Sequence, residues 1–212
     1  MGLLDIFSRL TGNSTVGNVA DIVNNVSSAA STVSSAASAV AGSGILTDKH
    51  RTVSFTSLPA NMAELQAMPQ AQLHDEFEVA ALCIAVLCNF EKDPNTTFDM
   101  LNYLQGPRQL QPSDKQFYAE RLRGKQYKTF AFFNGSSPAN NYTPAQPYSI
   151  NVSSNRYSYQ NQDYATLYVK SSGADNPMPI TLRRKPSTNQ WFVWQITCLT
   201  DIRIPAAQNA WL

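Results

Sequence analysis

Residues 73–90, LHDEFEVAALCIAVLCNF, open with acids and then turn apolar without a break. Asp75, Glu76 and Glu78 stand where a helix amino-terminus favours negative charge, because its unpaired N–H groups form the positive end of the helix dipole. From Val79 onward the run is apolar on every side of a 3.6-residue repeat, so no face is left for solvent. The spacing predicts a buried helix at the centre of a domain, ended by Asp93-Pro94. The apolar run, 79–88, is far shorter than the roughly 20 residues that a membrane-spanning helix needs.

Working outward, RTVSFTS (51–57) alternates, with Val53 and Phe55 on one side, and reads as a short strand. On the carboxyl side, NTTFDMLNYLQGP (95–107) is a helix capped by Asn95 or Thr96 and stopped by Gly106-Pro107. PSDKQFYAERLRG (112–124) is another, with Ser113 and Gln116 in capping-box spacing and Gly124 as its stop. The pattern then changes. YKTFAFF (127–133) is aromatic and strand-like, and Asn134-Gly135 reads as a turn. After a loop rich in Pro, Asn and Ser, YSINV (148–152), YATLYVK (164–170), PITLRRK (179–185) and QWFVWQITCL (190–199) read as strands. Helices followed by an antiparallel meander predict an α+β fold with a curved sheet of four to five strands over residues 46–212.

Composition shifts near residue 45, at AGSG (41–44). Upstream, Val16, Val19, Val23, Val26, Ala30, Val33, Ala37 and Val40 follow one another at steps of three and four, a heptad-like seam. The positions around it are Ser and Ala, so the segment is a weak helix former alone and is expected to need a partner surface. Leu3, Leu4, Ile6, Phe7 and Leu10 share one side of a shorter amphipathic helix. Residues 1–45 therefore predict a separate helical appendage for self-association, docking on a protein partner, or attachment to a membrane surface.

Lys and Arg number 16 against 15 Asp and Glu, so the net charge of +1 offers no bulk attraction for nucleic acid, which is disfavoured as a partner. The charge is uneven, however. Bases gather in 108–128, and Arg121, Arg123, Lys125 and Lys128 form a candidate basic face that Arg183-Arg184-Lys185 could extend. Cys83, Cys88 and Cys198 are an odd set with no framework spacing, and read as buried small hydrophobes rather than a disulfide scaffold. There is no phosphate-binding glycine loop, no HExxH, no GxSxG and no CxxC. No catalytic residue, metal or cofactor is assigned. The candidate pocket set is Asp175, in the loop SSGADNPMP, with Tyr164, Tyr168, Trp191 and Trp194 on strands. No secretory signal is visible, and the expected location is the cytoplasm, free or held peripherally at the inner membrane surface.

The strings MLNYLQGP (100–107), NNYTPAQPY (140–148), YVKSSGADNPMPITLRRK (168–185), WFVWQ and DIRIP (191–205) resemble an uncharacterised bacterial family, a domain of unknown function, over about residues 75–205. That resemblance implies no activity, cofactor or partner. At the level of fold the domain resembles the cone-shaped nuclear-transport-factor-2-like type, whose last hairpin carries Trp as Trp191 and Trp194 do here. The leading expectation is a non-enzymatic interaction or assembly protein. The alternative is a small-molecule-binding or hydrolytic cone with its pocket in the curved sheet.

Overall fold

The structure is a computed structural model and describes residues 48–211. The heptad seam and the short amphipathic helix, including Leu3, Leu4, Ile6, Phe7, Leu10, Val19, Val23, Val26, Val33 and Val40, lie outside the described residues.

The elements run β1 (Lys49–Phe55), α1 (Met62–Ala67), α2 (Glu76–Leu87), α3 (Pro94–Gln105), α4 (Pro112–Leu122), α5 (Tyr127–Phe130), β2 (Tyr148–Ser154), β3 (Tyr164–Val169), β4 (Met178–Lys185) and β5 (Gln190–Ile196). The fold class is α+β, and the five strands form one curved antiparallel sheet in the order β1-β2-β3-β4-β5. β1 pairs with β2 along its whole length, from Lys49 opposite Ser154 to Phe55 opposite Tyr148. It thus comes from before the helices to complete a sheet otherwise built after them.

Helix α2 is the centre of this architecture. Asp75 caps it, accepting from the N–H groups of Phe77 and Glu78 at 3.0 and 3.1 Å. The same carboxylate pairs with Arg51 of β1, which ties the helix start to the sheet. Val79 through Leu87 are sealed from solvent, and the helix touches all five strands. Alternation in the strands supplies the other half of the core. Val53, Ile150, Val152, Leu167, Val169, Ile180, Leu182, Val193 and Ile196 all face inward, leaving polar and aromatic side chains on the outer face. The inner side of the sheet is filled by these side chains and α2.

Several local expectations are corrected. YKTFAFF is not a strand. Tyr127–Phe130 is a helical turn, and Phe133 forms only a single bridge to Ile150. Aromatics favour any half-buried surface, not an extended backbone as such. Here Ala131, Phe132 and Phe133 fill the core, and Phe133 meets Tyr148 edge-on at 5.6 Å. The cap of α3 is Asp93, with Pro94 in the first turn, rather than Asn95 or Thr96. The Thr96 hydroxyl, then the Thr96 N–H, hold the Asp93 carboxyl below its ordinary pKa. The cap of α4 is Gln111, two residues before Ser113: Pro112 is its first residue, and the Gln111 N–H donates to Asp114 at 2.9 Å. Helix α1, with one buried residue, Leu65, carries no hydrophobic period to announce it.

The three cysteines are free and buried, as small hydrophobes. Burial pushes the Cys88 and Cys198 thiols up to about 12 and Cys83 well above its ordinary value, so none is a thiolate at neutral pH.

Candidate functional site

The last hairpin departs from regular alternation at one place. Leu182 lies opposite Val193 and Thr181 opposite Gln195, so Trp194 is an extra residue in β5, a bulge. Bulges re-aim a side chain without ending the strand. Val193 and Ile196 remain in the core while the Trp194 indole joins the outer face.

Two guanidinium groups lie against that indole. The Arg108 Cζ is 4.7 Å from the ring centroid and the Arg183 Cζ is 5.0 Å away. Arg108 also donates from Nη1 to the Trp194 carbonyl at 2.7 Å. Arg183 lies beside Tyr164, its cross-strand neighbour, at 5.4 Å, and Tyr164 meets Trp194 edge-on at 5.7 Å. The electron-rich ring faces stabilise the cations in place, and the guanidinium N–H groups remain able to donate.

The chain reaches this spot through Gly106. Its φ of 62° and ψ of −122° end α3 and turn the chain over β5, bringing its backbone onto the Phe192 ring. Pro107 and Arg108 then form one wall of a cavity of about 300 Å3. Arg183, Arg184, Lys185, Pro186, Phe192 and Trp194 also line it. A second cavity, of about 510 Å3, shares Gln105, Arg108 and Trp194 and continues toward Phe117 and Tyr118 of α4.

The charge here is unbalanced. Arg184 pairs with Asp163 at 2.9 Å. Among the described residues, Arg108, Arg183 and Lys185 have no carboxylate within ion-pairing distance. At the junction of the two cavities stands Gln105, only 6% exposed, whose Oε1 is buried and has no hydrogen-bond donor. Such an orphaned acceptor costs about 1–3 kcal/mol relative to a satisfied one.

The sequence candidates divide. Tyr164 and Trp194 come together, with Arg183. Trp191 lies opposite Arg184, its ring 5.9 Å from the Arg184 Cζ, and its backbone N–H donates to the Leu73 carbonyl, closing the start of the edge strand. Tyr168 lies opposite Pro179, toward the other end of β3. Asp175 is exposed in the loop beyond that end and pairs with Arg203, so it is no part of the Trp194 site. The basic face also separates. Arg121 stacks on Phe117, Arg123 is exposed, and Lys125 donates to the Glu120 carbonyl. Lys128 is buried and donates to the Leu199 carbonyl at 3.1 Å, so it does not stand on a solvent face. Desolvation, then the positive charge of Lys125 and Arg121, lowers its pKa. Gln105, Arg108 and Phe192 were not singled out from the sequence.

Residues 57–206 match the pattern of a protein family described as a domain of unknown function, DUF6935. The chain belongs to that family. Every residue of the Trp194 site falls within the DUF6935 range, whereas β1, which completes the sheet, precedes it. No curated protein and no solved structure matches the chain. Among the described residues no helix is long and apolar enough to cross a membrane, and no three metal-ligating side chains cluster.

Proposed function

We propose that this is an interaction protein whose DUF6935 domain recognises an anionic partner at the outer face of β4 and β5. The observation that carries this reading is the pair of guanidiniums, Arg108 and Arg183, held on one indole without a carboxylate partner among the described residues. Ordered, unpaired cations beside an aromatic surface supply charge and orientation for binding, with electrostatic attraction that falls as salt screens it. The site offers this without relying on net charge, which is only +1.

The test follows the Trp194 indole N–H resonance while benzoate, benzenesulfonate, phenyl phosphate and neutral benzyl alcohol are titrated. At least one anion is expected to shift it, more weakly at higher salt, and Arg183→Glu with Lys185→Glu is expected to abolish the shift. Binding of benzyl alcohol as tight as that of the anions, or indifference to the double charge reversal, would overturn the reading.

A second part of the proposal concerns residues 1–45, where the heptad-like steps from Val16 to Val40 favour self-association or docking on a protein. Light scattering on the full chain and on a version lacking 1–45 is expected to show loss of an oligomer on truncation. Equal subunit numbers for both would remove self-association. Flotation with liposomes that is abolished by Phe7→Glu would point to the membrane surface instead.

A further inference from the structure

We infer that the cavity between the Gly106–Arg108 strap and the β4–β5 hairpin takes a small phosphomonoester, its phosphoryl group held by Arg183, Lys185 and Arg108 and its body set against Phe192 and Trp194. The inference rests on the anion-binding reading above and narrows it to a ligand class.

Three features select that class. First, three cations without carboxylate partners among the described residues converge on one cavity. A monocarboxylate leaves most of that charge uncompensated, whereas a phosphate monoester carries close to two negative charges at neutral pH and three terminal oxygens. Planar guanidinium forks match those oxygens two at a time. Second, the cavity, about 300 Å3, is at the lower end of the range for small-molecule sites. It suits a compact ligand rather than a polymer lying across a surface. Third, Phe192, Trp194, Pro107 and Pro186 make much of its wall apolar and stiff, which fits a planar or apolar body behind the anion.

Arg184 has a different part. Its pair with Asp163 neutralises it and holds the end of β4, with the Arg184 N–H also bonded to the Asp163 carbonyl at 2.7 Å. It is a positioning residue for its neighbours Arg183 and Lys185.

The test uses the full chain and three probes: phenyl phosphate, benzoate and inorganic phosphate. Phenyl phosphate is expected to bind at least about tenfold tighter than benzoate at pH 7.5 and to weaken as the pH falls through about 6, where it loses its second charge. None of the described residues lining the cavity is a histidine or a carboxylic acid, so that change reports the ligand. Arg183→Gln with Lys185→Gln, both exposed positions, is expected to weaken phenyl phosphate at least about tenfold with an unchanged melting temperature.

Benzoate binding as tightly as phenyl phosphate, with no change near pH 6, would overturn the phosphomonoester while leaving the anion site standing. No binding of any anion would overturn both. Inorganic phosphate binding as well as phenyl phosphate would show that the apolar wall contributes nothing and would also overturn the ligand class proposed here.

Discussion

Leu82→Ala is expected to lower the stability of the domain by about 2–5 kcal/mol, the range for removing a buried leucine whose surroundings cannot collapse into the space. Leu82 has no solvent exposure, and its neighbours Ala81 and Cys83 have none either. It sits in the middle of α2, a helix that touches every strand of the sheet and also α3 and α5. An ordinary surface helix can shift to close a cavity on one side by giving up contact with solvent on the other. Helix α2 has protein on all sides, so relaxation toward one neighbour opens a gap at another. For a domain of this size the loss corresponds to a fall in melting temperature of roughly 5–15 °C. Chemical denaturation with an unchanged m-value is the measurement. A loss below about 1 kcal/mol, at the level of a partly exposed residue, would mean that the helix is not enclosed as described.

The same enclosure explains why α2 was legible from sequence. A helix without a polar face leaves a continuous apolar run that nothing else of that length produces, and its acids mark its start. The strands were legible for a related reason: in YATLYV the inner Ala165, Leu167 and Val169 alternate with the outer Tyr164, Thr166 and Tyr168. Where the period failed, so did the reading. Aromatics in YKTFAFF suit a strand or a packed helical turn equally, and the choice between them is made by the core around Phe132 and Phe133. Lys128 falls in a run of bases, yet its helical turn carries it inward to the Leu199 carbonyl.

The site was legible only in part. Tyr164, Trp194 and the bases of 183–185 stand out by residue type. Their arrangement depends on a one-residue bulge at Trp194, which shifts the register by an amount that leaves no mark on composition. Arg108 lies 86 positions from the carbonyl it binds, and only the path of the chain after α3 connects them. Gln105, a polar residue at the end of a helix, reads as solvent-facing. It is buried, with the strap from Gly106 to Arg108 running over β5 directly after it.

That strap is the subject of the second large effect. Gly106→Ala is expected to cost about 2–6 kcal/mol, combining backbone strain of roughly 1–3 kcal/mol with overpacking of similar size. At φ 62° and ψ −122° the backbone is in a region that glycine occupies freely and other residues do not. A methyl group there would also stand 2.4 Å from Cδ1 and 2.5 Å from Cε1 of Phe192. The two contributions separate in a double-mutant cycle. Phe192→Ala in the Gly106→Ala background removes the clash and leaves the backbone strain, so the second substitution is expected to cost less in the variant than in the natural chain. Gly106→Ala is also expected to shift the Trp194 indole N–H resonance, because moving Phe192 or the strap changes the position of Arg108 on the indole. A Gly106→Ala protein with natural stability and an unmoved Trp194 signal would show that the strap does not press on the hairpin. With that contact gone, the hydrogen bond from Arg108 Nη1 to the Trp194 carbonyl and the packing on the indole would alone hold Arg108 in place, and the anion site would be less ordered before its ligand arrives.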